Sequence, residues 1–391
     1  MRIGINASFL RKPGTGIGQV STHFLREIVK LQNTNSKYQN AEYVLYCEEN
    51  PDLHFSLPSN FTVKSFLSFW KRDDLIRKWL WEKQLAQEAK KDGCDAFLSL
   101  YQSSTVFRSQ AIRHVMVVHD LIPRLFPKYQ GNWRKRWYWK ATERGIRRAD
   151  HILAVSEATK NDLVEFGIGN TIITVTSPDV APLFRNTLAL EEENRVMAKY
   201  SLVPGYLYHG GGLEIRKNTG GLLQAYALLV EQEKKGMLGT ALPPLVISGK
   251  IFSEENPLAT PVKRLVQELG LGERVRLLDF VPVEDLPALY KNALFFVYPS
   301  FYEGFGLPVL EALSLGTPVL TSDNSSLPEV AGDAALYIDP HMIESIASGI
   351  ERLLNDAALR EKLSVAAKDS VGRFSWEHFT KVTLETLSKI S

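Results

Sequence analysis

Short apolar runs that open onto glycine turns and then onto helical periodicity recur along this chain. That alternation constrains the fold more than any other feature. Strand–turn–helix units of this kind build parallel sheets with helices on both faces. The most informative unit is Leu294-Phe-Phe-Val297, which reads as a buried strand, followed by Phe301-Tyr-Glu-Gly-Phe-Gly-Leu-Pro-Val-Leu-Glu311. Pro308 suits the first turn of a helix, where its missing N–H has no intrahelical partner. A glycine loop ending in a helix start aims amides and a helix dipole at one point, which favours an anion such as a phosphate. Glu303 and Glu311 flank that mouth. They would repel phosphate but can accept hydrogen bonds from sugar hydroxyls. The competing reading of each glutamate alone is an N-cap at Glu303 and a solvated Glu311.

At 391 residues the chain exceeds one ordinary core, so two domains are expected. A formal charge of +2 gives no general affinity for nucleic acid. The two cysteines, Cys47 and Cys94, lie far apart without metal-ligand spacing, which fits a reducing compartment and no disulfide framework. The N-terminus runs straight into a strand, and no apolar run reaches ~18 residues. A cytoplasmic protein, possible at the inner face of a membrane, is the expectation.

In the first half, Arg2 to Ala7 reads as a strand and Gln19 to Leu31 as a helix, joined by Pro13-Gly-Thr-Gly-Ile-Gly18. This loop fits a phosphate cradle at Gly16, and equally a plain turn. It lacks the Gly-Lys-Ser/Thr of a Walker A loop. Strands follow at Tyr43–Cys47, Ala96–Leu100 and His114–Val118, with helical periodicity over Lys71–Lys91. His119-Asp120 closes the last of these strands. His119 can face a ligand with Asp120 orienting it, or can be satisfied by a backbone carbonyl. Trp133-Arg-Lys-Arg-Trp-Tyr-Trp-Lys140 interleaves cations and aromatics within a helix. It reads either as an interfacial helix on anionic lipid or as a basic face with its aromatics in the core. Ser156 is placed to cap the next helix.

Periodicity lapses over Pro178–Glu193, and strand–helix alternation restarts at Tyr206. Gly210-Gly-Gly-Leu-Glu-Ile-Arg-Lys-Asn218 then opens onto a helix with Arg216 and Lys217 at its entry. Cations oppose the dipole there, a conflict that a bound diphosphate would resolve. Solvated charges are the alternative. Phe280-Val281-Pro282 ends a strand and can offer backbone groups, at Val281, to a base edge. The expected fold is α/β, two Rossmann-like doubly wound domains facing a cleft. Residues 1–185 form the first and 186–372 the second.

The block Glu303-Gly-Phe-Gly-Leu-Pro308 with Glu311 resembles the donor signature of the retaining glycosyltransferases of family four, which have the GT-B fold. The resemblance extends to Gly14–Gly18, His119-Asp120, Ala154-Val-Ser-Glu-Ala-Thr159, Arg216-Lys-Asn218, Leu286-Pro-Ala-Leu-Tyr290 and Phe374-Ser-Trp376. It implies a nucleoside diphosphate sugar donor, UDP- or GDP-linked, and a saccharide or lipid-linked acceptor. It implies neither metal nor cofactor, and no Asp-x-Asp pair is present. Glu311 would hold ribose hydroxyls, and Glu303 the donor sugar. Gly304, Phe305, Gly306 and Leu307 would meet sugar or phosphate. Arg216 and Lys217 would neutralise the leaving diphosphate, Gly16 would approach the phosphates, His119 would line the sugar pocket, and the last helix, 373–391, would cross back onto the first domain. Many members carry Gly-Arg five residues before the lysine; here that position is Gly212, and Arg216 is the substitute. A sugar-nucleotide epimerase and a non-catalytic sugar-nucleotide sensor are the competing functions.

Overall fold

The apolar runs assemble into two parallel sheets in a computed structural model that describes residues 1–34, 41–67, 74–108, 111–253 and 255–390. The first sheet contains β1 (Arg2–Asn6), β2 (Glu42–Cys47), β3 (Phe61–Ser65), β4 (Ala96–Ser99), β5 (Arg113–Val118), β6 (His151–Ala154) and β7 (Ile173–Val175), in the order β3-β2-β1-β4-β5-β6-β7. The second contains β8 (Tyr206–His209), β9 (Leu245–Ile247), β10 (Val275–Leu277), β11 (Ala293–Tyr298), β12 (Val319–Ser322) and β13 (Ala335–Ile338), in the order β10-β9-β8-β11-β12-β13. All paired strands named here run parallel. The central strands are apolar on both faces, as strands of a parallel sheet covered on both sides are.

Helix starts follow local chemistry. Asp74 accepts from the Ile76 and Arg77 amides at the head of Leu75–Lys91. The expected start of that helix at Lys71 falls outside the described residues. Asn132 caps Trp133–Arg148 through the Lys135 amide, 3.0 Å away. Ser156 Oγ accepts from Thr159 N at 3.0 Å, as its position predicts. In the second unit, Leu222, Tyr226 and Leu229 of Thr219–Lys234 share one core with Ile346, Ile350 and Leu353 of Ile343–Asn355 and with Leu207, Ile247 and Phe295 of the sheet.

The chain divides into one unit of Met1–Pro178 with Phe374–Ser391 and another of Asp179–Arg373. The break therefore precedes the expected 185/186 boundary. Asp179 and Arg185 are paired at 2.6 Å, and the buried ring of Phe184 meets Tyr290 edge-on at 6.1 Å, which ties this segment to the second unit. The terminal helix Trp376–Ile390 packs on Gly16–Thr34. Trp376 stacks on His23 at 5.0 Å, and Phe379 meets Phe24 edge-on at 6.1 Å.

Two strands stand out least from their surroundings. β3 is an edge strand, FTVKS, whose residues are mostly half-buried or exposed. β13 is the short run ALYI after a single helical turn at Gly332–Ala334. Their pairing with β2 and β12 is set by the rest of the sheet rather than by local pattern.

Candidate functional site

In the second sheet the chain builds outward from β8 in one direction and from β11 in the other. Open parallel sheets form their ligand crevice at the carboxyl ends of the strands flanking such a reversal. After β8 comes the glycine turn 210–212 and a single turn of 3-10 helix, Ile215–Lys217. After β11 come Tyr298, Ser300, Glu303 and the helix Leu307–Ser314. Gly211 has φ +88°, and a Cβ there would lie 2.7 Å from Pro308 Cγ. Only glycine lets this turn sit against the helix that carries Glu311.

Glu303 is not the helix N-cap. Gly306, with φ +106°, holds that position. Glu303 instead lies buried and gathers both cations. Its Oε2 is 2.6 Å from Arg216 Nη1, and its Oε1 is 2.7 Å from Lys217 Nζ. Oε1 also accepts from the hydroxyls of Tyr298, at 2.8 Å, and Ser300, at 2.9 Å. Lys217 further donates to Tyr298 Oη. Arg216 donates to the Tyr302 carbonyl at 3.0 Å, and its own carbonyl accepts from Phe301 N at 2.8 Å. The turn after β8 and the loop after β11 are thus locked together. Burial alone would raise the Glu303 pKa, but Arg216 and Lys217 overcome it and hold the carboxyl at about 2. Burial and the adjacent Arg216 push Lys217 down to about 8 against the pull of Glu303. Glu303, and the more exposed Glu214 at 3.2 Å from Arg216 Nε, offset the two cations, which are held fixed and largely desolvated, the arrangement of preorganised donors that can stabilise an anion. Neither cation is a solvated charge.

Glu311 is also buried rather than solvated, and accepts from Tyr290 Oη at 2.9 Å. Burial pushes its carboxyl up to about 7, with Tyr290 and Lys217 opposing. The pH sign follows. A carboxyl whose folded value lies above its ordinary 4.5 is penalised once ionised, so stability is lost as pH rises from 4.5 through 7. The loss is roughly 3 kcal/mol at 1.4 kcal/mol per pH unit. Glu311→Gln is expected to remove that slope. The difference in unfolding free energy between variant and native chain should move in the variant's favour between pH 5 and 8. Parallel pH profiles would refute the assignment.

Gly304 and Phe305 are buried, and Ser326 Oγ donates to the carbonyls of Glu303 and Phe305 at 2.9 and 2.6 Å. Ser325, strained at φ +52°, accepts from Glu303 N at 3.1 Å. Leu307 opens the helix, so its amide is among those without an intrahelical partner. Val281 is buried, while Phe280 beside it is exposed. These residues, with Arg216, Lys217, Glu303 and Glu311, all belong to the second unit.

Gly16 and His119 stand in the first unit. Gly16 is exposed and begins the helix Gly16–Thr34. The glycine with a steric need in this loop is Gly18, where a Cβ would lie 2.0 Å from the Lys12 carbonyl oxygen. His119 follows β5, and its Nε2 sits 2.9 Å from the Leu100 carbonyl. That carbonyl holds the imidazole, while Asp120 Oδ1 accepts from Ile122 N at 3.0 Å. Burial pushes His119 down to about 4. The ring is therefore neutral, with Nε2 protonated and Nδ1 an acceptor.

Tyr298, Ser300, Tyr290, Ser325 and Ser326 were not legible as site residues. Tyr298 and Ser300 had one available signal, their place at the carboxyl end of a buried strand. The Trp133–Lys140 cluster divides: Trp139 is buried and Tyr138 donates to Glu82 at 2.9 Å, whereas Trp133 is 62% and Trp137 38% exposed. Among the described residues no group of three or more His, Cys, Asp or Glu is placed to hold a metal ion. No helix among them is long and apolar enough to cross a membrane.

Comparisons with known proteins follow the same division. Residues 204–370 match the family described as glycosyl transferases group 1, and residues 36–178 match Glycosyltransferase Family 4. The chain is 37% identical over 278 residues to O-antigen chain mannosyltransferase B of Escherichia coli, covering 70% of this chain and 69% of that protein. It is 30% identical over 282 residues to the serotype-specific mannosyltransferase WbdA of Escherichia coli, 71% of this chain but only 33% of that longer protein. Among solved structures, Anabaena Alr3699/HepE in complex with UDP-glucose superposes with a TM-score of 0.70 at 15% identity, covering 99% of both chains. The chain belongs to the family-four glycosyltransferases and has their GT-B pair of parallel-sheet domains.

Proposed function

We propose that this transferase moves a hexose, mannose foremost, from a nucleoside diphosphate sugar to a saccharide or lipid-linked saccharide acceptor in polysaccharide assembly, with retention of anomeric configuration and without metal. The observation that carries the reading is the buried Arg216–Lys217–Glu303 cluster beside the helix mouth at Leu307. The mannosyltransferase relatives support the sugar and the polysaccharide setting, and the UDP-glucose complex of a neighbour keeps UDP-glucose as the second candidate donor.

The acceptor hydroxyl oxygen bonds to the anomeric carbon as the bond from that carbon to the diphosphate oxygen breaks. The acceptor proton passes to a leaving phosphate oxygen on the same face. Arg216 and Lys217 stabilise the charge gathering on the diphosphate. Glu303 is an unsuitable nucleophile, because four donors already occupy its oxygens. It acts by holding the two cations in place, and its remaining Oε2 lone pair can accept from a sugar hydroxyl. Glu311 accepts from the ribose hydroxyls. His119, a neutral acceptor at Nδ1, suits a sugar hydroxyl better than a proton-transfer step.

A thermal-shift screen over UDP-, GDP- and ADP-sugars, followed by labelled transfer, tests the reading. A mannose donor should stabilise the protein by roughly 3 kcal/mol at a hundredfold excess over Kd. No shift with any nucleotide sugar would overturn it. Peripheral contact with anionic membrane is part of the same proposal. Its support is the exposed Trp133 and Trp137 on a helix that also carries exposed Arg136, Lys140 and Arg144. Vesicles containing phosphatidylglycerol should co-sediment the protein, and Trp133→Ser/Trp137→Ser should release it; equal pelleting of both would sink this part.

A further inference from the structure

The junction between the turn that carries Lys217 and the helix Thr219–Lys234 is costly at each of three consecutive residues. Lys217 stands at a helix entry, against the dipole. Asn218 is left-handed without being glycine, at φ +56° and ψ +33°. Thr219 opens the helix fully buried, so its hydroxyl needs a partner. Such a junction persists only where its surroundings pin it.

Asn218 supplies one pin itself. Its Nδ2 donates to the Pro340 carbonyl at 2.8 Å, and its Oδ1 accepts from Gly221 N at 3.2 Å. The second pin comes from outside the turn. His209, the last residue of β8, is fully buried and engages both ring nitrogens. Nδ1 lies 2.9 Å from the Val297 carbonyl of β11, and Nε2 lies 2.9 Å from Thr219 Oγ1. Burial pushes the imidazole down to about 4 against the Val297 bond, with Lys217 adding to the fall, so the ring is neutral. A carbonyl can only accept, so Nδ1 carries the proton. Nε2 is then bare and accepts from the Thr219 hydroxyl. One ring in one tautomer thus joins β8 and β11, the strands that flank the reversal, to the first residue of the helix. It also lies 6.2 Å from the ring of Tyr298, whose hydroxyl receives Lys217.

We propose that His209 is a positioning residue for sugar transfer: through Thr219 it holds the left-handed junction at Asn218, and with it the Lys217 ammonium against Glu303 and Tyr298. Fully buried, the imidazole does not itself meet substrate. The role in transfer rests on the transferase reading; the hold on Lys217 does not.

The test uses the full chain and three substitutions. Thr219→Val keeps the shape of the side chain and removes the hydroxyl, whereas Thr219→Ser keeps the hydroxyl. His209→Asn keeps a donor for the Val297 carbonyl but is too short to reach Thr219, and it carries the test if Thr219→Val fails to fold. In the first arm, Thr219→Val and His209→Asn should lower kcat about tenfold or more, the effect of misplacing a group that acts on the reacting atoms. KM for donor and acceptor should change by less than about threefold, and Thr219→Ser should keep the native kcat. A residue that served folding alone would lower the unfolding temperature and leave kcat of the folded protein unchanged. Native kcat in Thr219→Val or His209→Asn, or equal losses in Thr219→Val and Thr219→Ser, overturns the proposal. In the second arm, binding of nucleoside diphosphate is measured by calorimetry without acceptor. Its terminal phosphate carries the charge of a leaving group, so affinity should fall about fivefold or more in Thr219→Val and return in Thr219→Ser. Unchanged affinity in Thr219→Val overturns the hold on Lys217. That loss and recovery of affinity in a protein whose native form transfers no sugar would count against the transferase reading alone and leave the hold on Lys217 standing.

Discussion

Lys217→Ala is expected to lower kcat for sugar transfer by about 10²- to 10³-fold, the effect of removing one fixed donor aimed at developing charge. Lys217 is almost wholly buried, and its ammonium is held by Glu303 and Tyr298 rather than by water. It therefore needs no reorganisation when negative charge grows on a leaving diphosphate. The variant should still fold, because Glu303 keeps Arg216, Tyr298 and Ser300. Affinity for the intact nucleotide sugar should fall much less than kcat, since on the proposed reading the ground-state diphosphate would also meet Arg216 and the helix mouth. Single-turnover transfer with saturating donor measures this. A variant with native kcat would remove the basis for assigning the leaving-group role to this cluster.

Glu303→Ala is expected to have the largest effect on stability, about 3–5 kcal/mol, because it leaves two adjacent buried cations without their shared carboxylate. Glu214 remains to Arg216 at 3.2 Å, but among the described residues Lys217 has no second carboxylate at such range. The sign with pH is opposite to that of Glu311. A carboxyl held at about 2 contributes stability that is present above its ordinary 4.5 and is lost as pH falls from there through 2. The cost of Glu303→Ala should therefore be greatest near neutral pH and smallest near pH 2. Nucleoside diphosphate should also stabilise the variant more than the native chain, by supplying the missing anion. Chemical denaturation at several pH values, with and without nucleotide, reads both effects. A pH-independent loss would mean that Glu303 acts only through packing.

Most of the fold was legible because parallel strands covered on both faces are short continuous apolar runs, and their glycine turns mark where helices begin. The strands that carry β1, β4, β5, β8 and β11 all stand out in this way. β3 did not, because an edge strand with one partner and half-exposed residues has no such run. The Ser156 cap was visible locally, since its hydrogen bond spans three residues. The break at Pro178 was displaced from expectation because the pull of Asp179–Arg185 toward the second unit depends on packing far along the chain, at Tyr290.

For the site, the sequence by itself named the candidates Arg216, Lys217, Glu303 and Glu311, two cations before a helix and two carboxylates around a glycine loop. Spacing alone could say that a carboxylate and a cation were available, because residue type and helix entry are local properties. Only the tertiary structure decided how they are arranged. It brought together positions 86 residues apart in Lys217 and Glu303 and placed Tyr298 and Ser300 on the same oxygen. It also buried Glu311 against Tyr290, so that two carboxylates in one short stretch are driven in opposite directions, one to about 2 and the other to about 7. The reason is physical. A pKa is set by burial and by charges within a few ångströms, and those distances exist only once β8 and β11 lie side by side.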